Sequence, residues 1–298
     1  MNFTGCFTAI ITPFKGTGLN PLVDWEGYEE LLKFQDENGI DGIVACGTTG
    51  ESPTLSYVDH CQVIERTVEG SKGLTIAGTG SNSTLEAIEM TKEANEVGAH
   101  ASLQVCPYYN KPNQEGLFKH FGAIAEAVDI PHILYNIPGR SSKKIDPSTM
   151  ARLKKEYSNV IGVKEATGNP KVWKEIREKC GKDFLILSGN DSDTYQLMKD
   201  YNAKGVISVA SNIIPSEIKD FVKLGIESRF LDMKVENKRL NQLFDILFID
   251  TNPIPIKEAM NYLGLKAGGY RYPLCEISPN KRRELIKTLN NYGLNKRD

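Results

Sequence analysis

Long apolar runs are missing from this chain, and none approaches the roughly 20 residues that a membrane crossing needs. The N-terminal stretch MNFTGCFTAII carries neither a basic n-region nor a cleavage site, so a soluble, cytoplasmic protein is expected. An excess of one charge is missing too. A net charge of -2 leaves no electrostatic footprint for nucleic acid or an acidic membrane, and neither is expected as a partner. The six cysteines (Cys6, Cys46, Cys61, Cys106, Cys180, Cys275) have no CxxC spacing. Three of them, Cys6, Cys46 and Cys106, fall in predicted strands, where a reduced thiol packs as a small hydrophobe, and this suits a reducing cytosol. Only four histidines are present (His60, His100, His120, His132), without ligand spacing, so no metal and no cofactor is expected. Asn190-Asp191-Ser192-Asp193 lacks the rest of a calcium-binding pattern and reads as the cap of the next helix. No GxSxG elbow occurs, and no GxGxxG follows the first strand, which weakens hydrolase and dinucleotide-binding readings.

What is present is a repeat of short apolar segments. There are eight: Cys6–Ile11, Gly42–Cys46, Leu74–Ala77, Ala101–Cys106, His132–Tyr135, Val160–Lys164, Phe184–Leu187 and Val206–Val209. Stretches of helical spacing lie between them. Tyr28, Leu31, Leu32 and Gln35 share a face after a candidate Asp24 cap, with Gly39 past the end, and Leu117, Phe121, Ile124 and Val128 share another. Strand then helix, repeated, is the order of a parallel sheet, and eight such units favour a closed (β/α)8 barrel, which leaves no edge strand. The spacing predicts this barrel over residues 1–225 and an all-helical C-terminal extension over 226–298. Within the extension, Leu240, Leu243, Phe244 and Leu247 mark one helix and Pro255–Leu263 a second, and Ser278-Pro279 caps a third. Packing and assembly, not chemistry, are the expected role of these three helices.

A barrel of this kind builds its active site at the carboxyl ends of its strands. Those ends bring together Gly47-Thr48-Thr49-Gly50-Glu51, Pro107-Tyr108-Tyr109-Asn110, Tyr135 to Arg140, Lys164-Glu165, Ser188 to Asp191 and Ser208 to Asn212. Lys164 is the most informative of these residues. It tips the apolar run Val160-Ile161-Gly162-Val163, where an ammonium is costly unless it is paired or used. A desolvated lysine is partly the free amine that attacks a carbonyl to form a Schiff base. Pairing with a nearby carboxylate such as Glu51 is the competing role. Strand alternation predicts Val160, Gly162 and Lys164 on the inner face, with Gly162 leaving space beneath the lysine, and Ile161 and Val163 on the outer face. Tyr135 ends its strand in the same layer, where a phenol can pass protons to and from a carbinolamine. The Gly47–Glu51 turn offers hydroxyls and backbone N–H groups to a small carboxylate, or is a plain strand-to-helix turn. Arg140 suits bidentate recognition of a second carboxylate, or a surface salt bridge.

In order and spacing, GTTGE at 47–51, PYYN at 107–110, YNIPGR at 135–140, VKEATGN at 163–169, LSGND at 187–191 and GVISVASN at 205–212 resemble dihydrodipicolinate synthase. The resemblance spans nearly the whole chain. It implies a (β/α)8 lyase of lysine and diaminopimelate biosynthesis that condenses pyruvate with L-aspartate 4-semialdehyde. It further implies that Lys164 forms the Schiff base and that Tyr135 donates and accepts the proton. Thr48 and Tyr109 would complete a proton relay, with Tyr109 reaching into a neighbouring subunit of a dimer or tetramer. Thr49 and the backbone at Ile207 would hold pyruvate, Gly189 would line the site, and Arg140 would meet the carboxylate of the semialdehyde. N-acetylneuraminate lyase and keto-deoxy sugar acid aldolases share the lysine and the tyrosine. The second threonine of GTTGE and the arginine of YNIPGR fit the synthase better. Ser52, Tyr57, His60, Asn82, Glu86 and Tyr108 match the positions where lysine-sensitive members bind their inhibitor. Tyr57 stands where those enzymes often carry histidine, and Pro53 replaces a smaller residue, so weak or absent feedback by lysine is expected.

Overall fold

Eight strands pair in parallel and in chain order, and the last closes on the first. In a computed structural model, which describes residues 1–296, they are β1 (Gly5–Ala9), β2 (Gly42–Ala45), β3 (Leu74–Gly78), β4 (Ala101–Val105), β5 (His132–Asn136), β6 (Val160–Glu165), β7 (Leu185–Ser188) and β8 (Gly205–Ser208). Nine helices belong to the barrel and its connections: α1 (Trp25–Glu37), α2 (Tyr57–Gly70), α3 (Thr84–Glu96), α4 (Gln114–Ala127), α5 (Pro138–Ser141), α6 (Pro147–Glu156), α7 (Pro170–Cys180), α8 (Thr194–Tyr201) and α9 (Pro215–Ile226). Three more follow as the expected extension: α10 (Phe230–Ile246), α11 (Ile254–Tyr262) and α12 (Pro279–Tyr292). The chain is therefore a (β/α)8 barrel with C-terminal helices. No helix among the described residues is long and apolar enough to cross a membrane.

The period-two alternation of the strands splits the core in two. Phe7, Val44, Ile76, Leu103, Ile133 and Ile207 fill the barrel interior. Ile43, Ile64, Ile124, Val163 and Trp173 pack outside it, between sheet and helices. The helix signals behave as their chemistry requires. The Asp24 carboxylate accepts from the Gly27 N–H, and Tyr28, Leu31, Leu32 and Gln35 form the buried face of α1. Ser278 stands at the start of α12, but its side chain makes no capping bond.

Three details correct the sequence reading. Cys46 and Cys106 lie one residue beyond β2 and β4, both buried as free thiols. β6 does not alternate throughout: the pairing with β5 slips between His132 and Ile133, so that Val160 packs outward while Ile161 joins the interior. One extra residue in one strand reverses the facing of everything before it, and the alternation around Lys164 survives because the slip lies below it. Gly162 does not leave a gap, either. A Cβ there would sit 2.4 Å from Leu185 Cβ, so the glycine permits close approach of β7.

Candidate active site

Lys164 and Tyr135 are register partners across β5 and β6, and Lys164 faces Leu187 across β6 and β7. The lysine side chain is buried, with Nζ 4.2 Å from the centroid of the Tyr135 ring. It makes no salt bridge among the described residues. Glu51, the carboxylate that could have neutralised it, is bound instead to Lys257 at 2.7 Å. Burial pushes the Lys164 pKa down to about 7; Asp191 opposes the fall, and Arg140 reinforces it. A free amine is thus present at neutral pH. Burial pushes the Tyr135 phenol up to about 12, against the pull of Arg140 and of the Thr48 hydroxyl, so it carries its proton at neutral pH.

A cavity of about 330 Å³ opens at this end of the barrel, lined among others by Thr48, Leu103, Tyr108, Tyr135, Ile137 and Arg140. It can hold a small organic acid, with a phenol, a hydroxyl and a guanidinium on its wall. Thr49, Lys164 and Ile207 are buried and are not among the lining residues, and Gly189 lies so close to Lys164 that a Cβ there would stand 3.2 Å from the lysine Cγ. Arg140 is in α5, a single helical turn. Its Nη2 donates to the Asn252 backbone carbonyl at 3.1 Å. Tyr109 is not on the cavity wall. It is 90% exposed, with a left-handed φ of 69°.

Set beside known proteins, these features have a ready counterpart. The Dihydrodipicolinate synthetase family model matches residues 2–292. The chain belongs to that family. A 4-hydroxy-tetrahydrodipicolinate synthase of Sulfurihydrogenibium is 50% identical over 98% of this chain and 99% of its own. The crystal structure of the dihydrodipicolinate synthase of Aquifex aeolicus superposes with a TM-score of 0.96 at 44% identity, covering 99% of this chain and 100% of that one. A third, DHDPS from Cyanidioschyzon merolae with lysine bound, has a TM-score of 0.92 at 39% identity and covers 98% and 99%. The chain is a pyruvate-dependent, Schiff-base-forming lyase with 4-hydroxy-tetrahydrodipicolinate synthase activity.

Two residues that sequence reasoning missed contact the candidate site residues. Asn252 Nδ2 donates to Thr49 Oγ1 at 2.9 Å, while the same residue's carbonyl receives Arg140. One residue from the segment before α11 therefore touches both the threonine turn and the guanidinium. Lys257, wholly buried on α11, donates to Glu51 and to the Thr12 carbonyl. Burial pushes its pKa down to about 8, and the Glu51 carboxylate opposes that fall. A signal for Lys257 existed, because it stands on an otherwise apolar stretch with Ile254, Ile256, Ala259 and Met260. The extension thus reaches the Thr48–Glu51 turn and Arg140 directly.

Asp191 is another correction. It does not cap its own helix: buried, its Oδ2 accepts from the backbone N–H groups of Val209 (3.0 Å) and Ala210 (3.1 Å) and pins the end of β8. No cluster of metal-ligating side chains occurs among the described residues.

The six residues matched to an inhibitor site are only partly gathered. Ser52 and Tyr108 line the cavity. Glu86 accepts from the Ser81 hydroxyl. Asn82 offers its carbonyl to Asn110 Nδ2 at 2.8 Å. His60 is buried, and its Nε2 lies 2.7 Å from the Gly78 carbonyl. A carbonyl only accepts, so Nε2–H is the donor, and burial lowers the His60 pKa. Tyr57 is half exposed and lies off the cavity wall.

Proposed function

We propose that Lys164 binds pyruvate as an imine and presents it to L-aspartate 4-semialdehyde, with Tyr135 moving the protons. The lysine amine adds to the C2 carbonyl of pyruvate. The carbinolamine then loses its hydroxyl as water, which needs a proton delivered to the oxygen, and Tyr135 stands against the amine still protonated. Loss of a methyl proton makes an enamine, whose carbon adds to the aldehyde. Closure of the amino-acid nitrogen onto C2 then releases Lys164. Thr49 and the backbone at Ile207 hold the pyruvate carboxylate, Gly189 makes room beside Lys164, and Arg140 takes the carboxylate of the semialdehyde. The single observation behind this reading is an amine brought to a pKa of about 7 and lying against a protonated phenol. Incubation with pyruvate and borohydride is expected to add one reduced pyruvate unit at Lys164, read by peptide mass. A modified lysine elsewhere, or none, would contradict the reading.

Tyr109 joins the relay with Thr48 from the neighbouring subunit of a dimer, the minimal active unit, which pairs again as a tetramer. Its exposure and strained φ suit a side chain placed for a partner. The barrel, 1–225, carries the chemistry, and the extension, 226–298, braces it. Sugar-acid aldolase activity is the weaker alternative, since Leu103, Val105 and Ile137 on the wall offer little to a polyol chain. Lysine inhibition is expected to be weak or absent, because His60 is committed to Gly78 and Tyr57 lies off the wall. An inhibition curve that falls to near zero activity at millimolar lysine would refute this.

A further inference from the structure

We infer that the buried Glu51–Lys257 pair is a positioning device for pyruvate, through which α11 sets the place of the Thr48-Thr49 turn. The inference rests on the function proposed above, in which Thr49 holds pyruvate. Glu51 closes the turn in a left-handed conformation, φ 56°, which a side-chain-bearing residue adopts at a cost unless its surroundings hold it there. Its side chain and that of Lys257 are both entirely inaccessible to solvent, and they meet at 2.7 Å.

The Lys257 ammonium has three donors, and each has an acceptor: Glu51 Oε1, the Thr12 carbonyl and the Gly269 carbonyl. The other Glu51 oxygen accepts from the Arg271 backbone N–H at 3.3 Å. The segment is gripped beyond Glu51 as well. Thr12 Oγ1 donates to the Gly50 carbonyl at 2.8 Å, and Arg271 Nη1 donates to the Thr54 carbonyl at 3.0 Å. From Gly50 to Thr54 the turn is thus held by residues outside its own strand and helix.

A packing role alone does not call for charge at this place. A buried ion pair adds little net stability over apolar side chains of similar volume, because desolvation cancels much of the attraction. What it adds is direction: two fixed oxygens and three fixed donors allow one placement of the turn. Thr48 and Thr49 precede Glu51 by three and two residues, so a drift of the carboxylate moves their hydroxyls. Lys164 and Arg140 come from β6 and α5 and make no bond to the pair, and Arg140 reaches the segment before α11 only through the Asn252 carbonyl. The bonds of the pair itself fall on the turn that holds pyruvate, so the larger effect falls on that substrate.

Glu51→Gln tests it, together with the double variant Glu51→Gln/Lys257→Met, which leaves no uncompensated charge and keeps the question open if the single variant fails to fold. The expected result is a pyruvate KM at least tenfold above that of the parent, with the semialdehyde KM within twofold. The borohydride adduct at Lys164 should stay complete at saturating pyruvate, and the double variant should melt near the parent while its pyruvate KM stays raised. A pyruvate KM within twofold of the parent in the folded variants would overturn the inference, and so would both KM values rising together with a fallen melting temperature. A parent enzyme that gives no adduct at all overturns the reading beneath it, and the inference with it.

Discussion

Lys164→Ala is expected to lose synthase activity by a factor on the order of 10⁴ or more and to give no borohydride adduct with pyruvate, because the cavity wall carries no other lysine to form the imine. The barrel should survive. Replacing a desolvated amine by a methyl group removes a group that burial penalises, so the variant should melt no lower than the parent. The pH dependence has a definite sign. Burial pushes the native amine down to about 7, against an ordinary lysine value of 10.5. Between those two values the unfolded chain binds more protons than the native one, so this group makes stability rise with pH through that window. Imine formation needs the neutral amine. Its rate at low pyruvate should level off above pH 7 and fall about tenfold per unit below it. A profile that instead rose steadily to pH 10 would show an ordinary, hydrated lysine and refute the burial argument.

Tyr135→Phe is expected to lower kcat by about 10²–10⁴-fold, the usual contribution of a positioned proton-transfer group. The phenylalanine keeps the ring against Lys164 and Ile133 inside the barrel, so circular dichroism and melting temperature should change little. The adduct at Lys164 should still form, but slowly, because carbinolamine dehydration loses its proton donor. Single-turnover mixing with pyruvate separates this from a defect in the later condensation. An imine that forms at the parent rate would move Tyr135 out of the first half-reaction.

Much of this site was legible in the chain because a parallel barrel has a simple grammar. Strands buried on both faces must be apolar, so Lys164 at the tip of Val160–Val163 stood out as an anomaly in need of a reason. The strand ends then fell in one layer by topology, and Tyr135, Thr48 and Arg140 came with them. What escaped was non-local. Asn252 looks like an ordinary helix-flanking residue and Lys257 is a lone cation on an apolar stretch of α11, and nothing adjacent to them shows that they touch Thr49 and Glu51 about two hundred positions earlier. Asp191 was misread for the same reason: its acceptors' partners, Val209 and Ala210, belong to another strand end. The slip in β6 depends on how β5 pairs with it, which alternation within one strand cannot reveal.

Hydrophobic period, turn chemistry and one misplaced cation were enough, residue by residue, to determine the architecture and to single out Lys164 and Tyr135 as candidates, since each is a matter of local pattern and of what an apolar wall tolerates. Folding in three dimensions decided which carboxylate meets which ammonium. It paired Glu51 with Lys257 and left Lys164 without a salt bridge, and desolvation of that amine is what brings its pKa down to about 7.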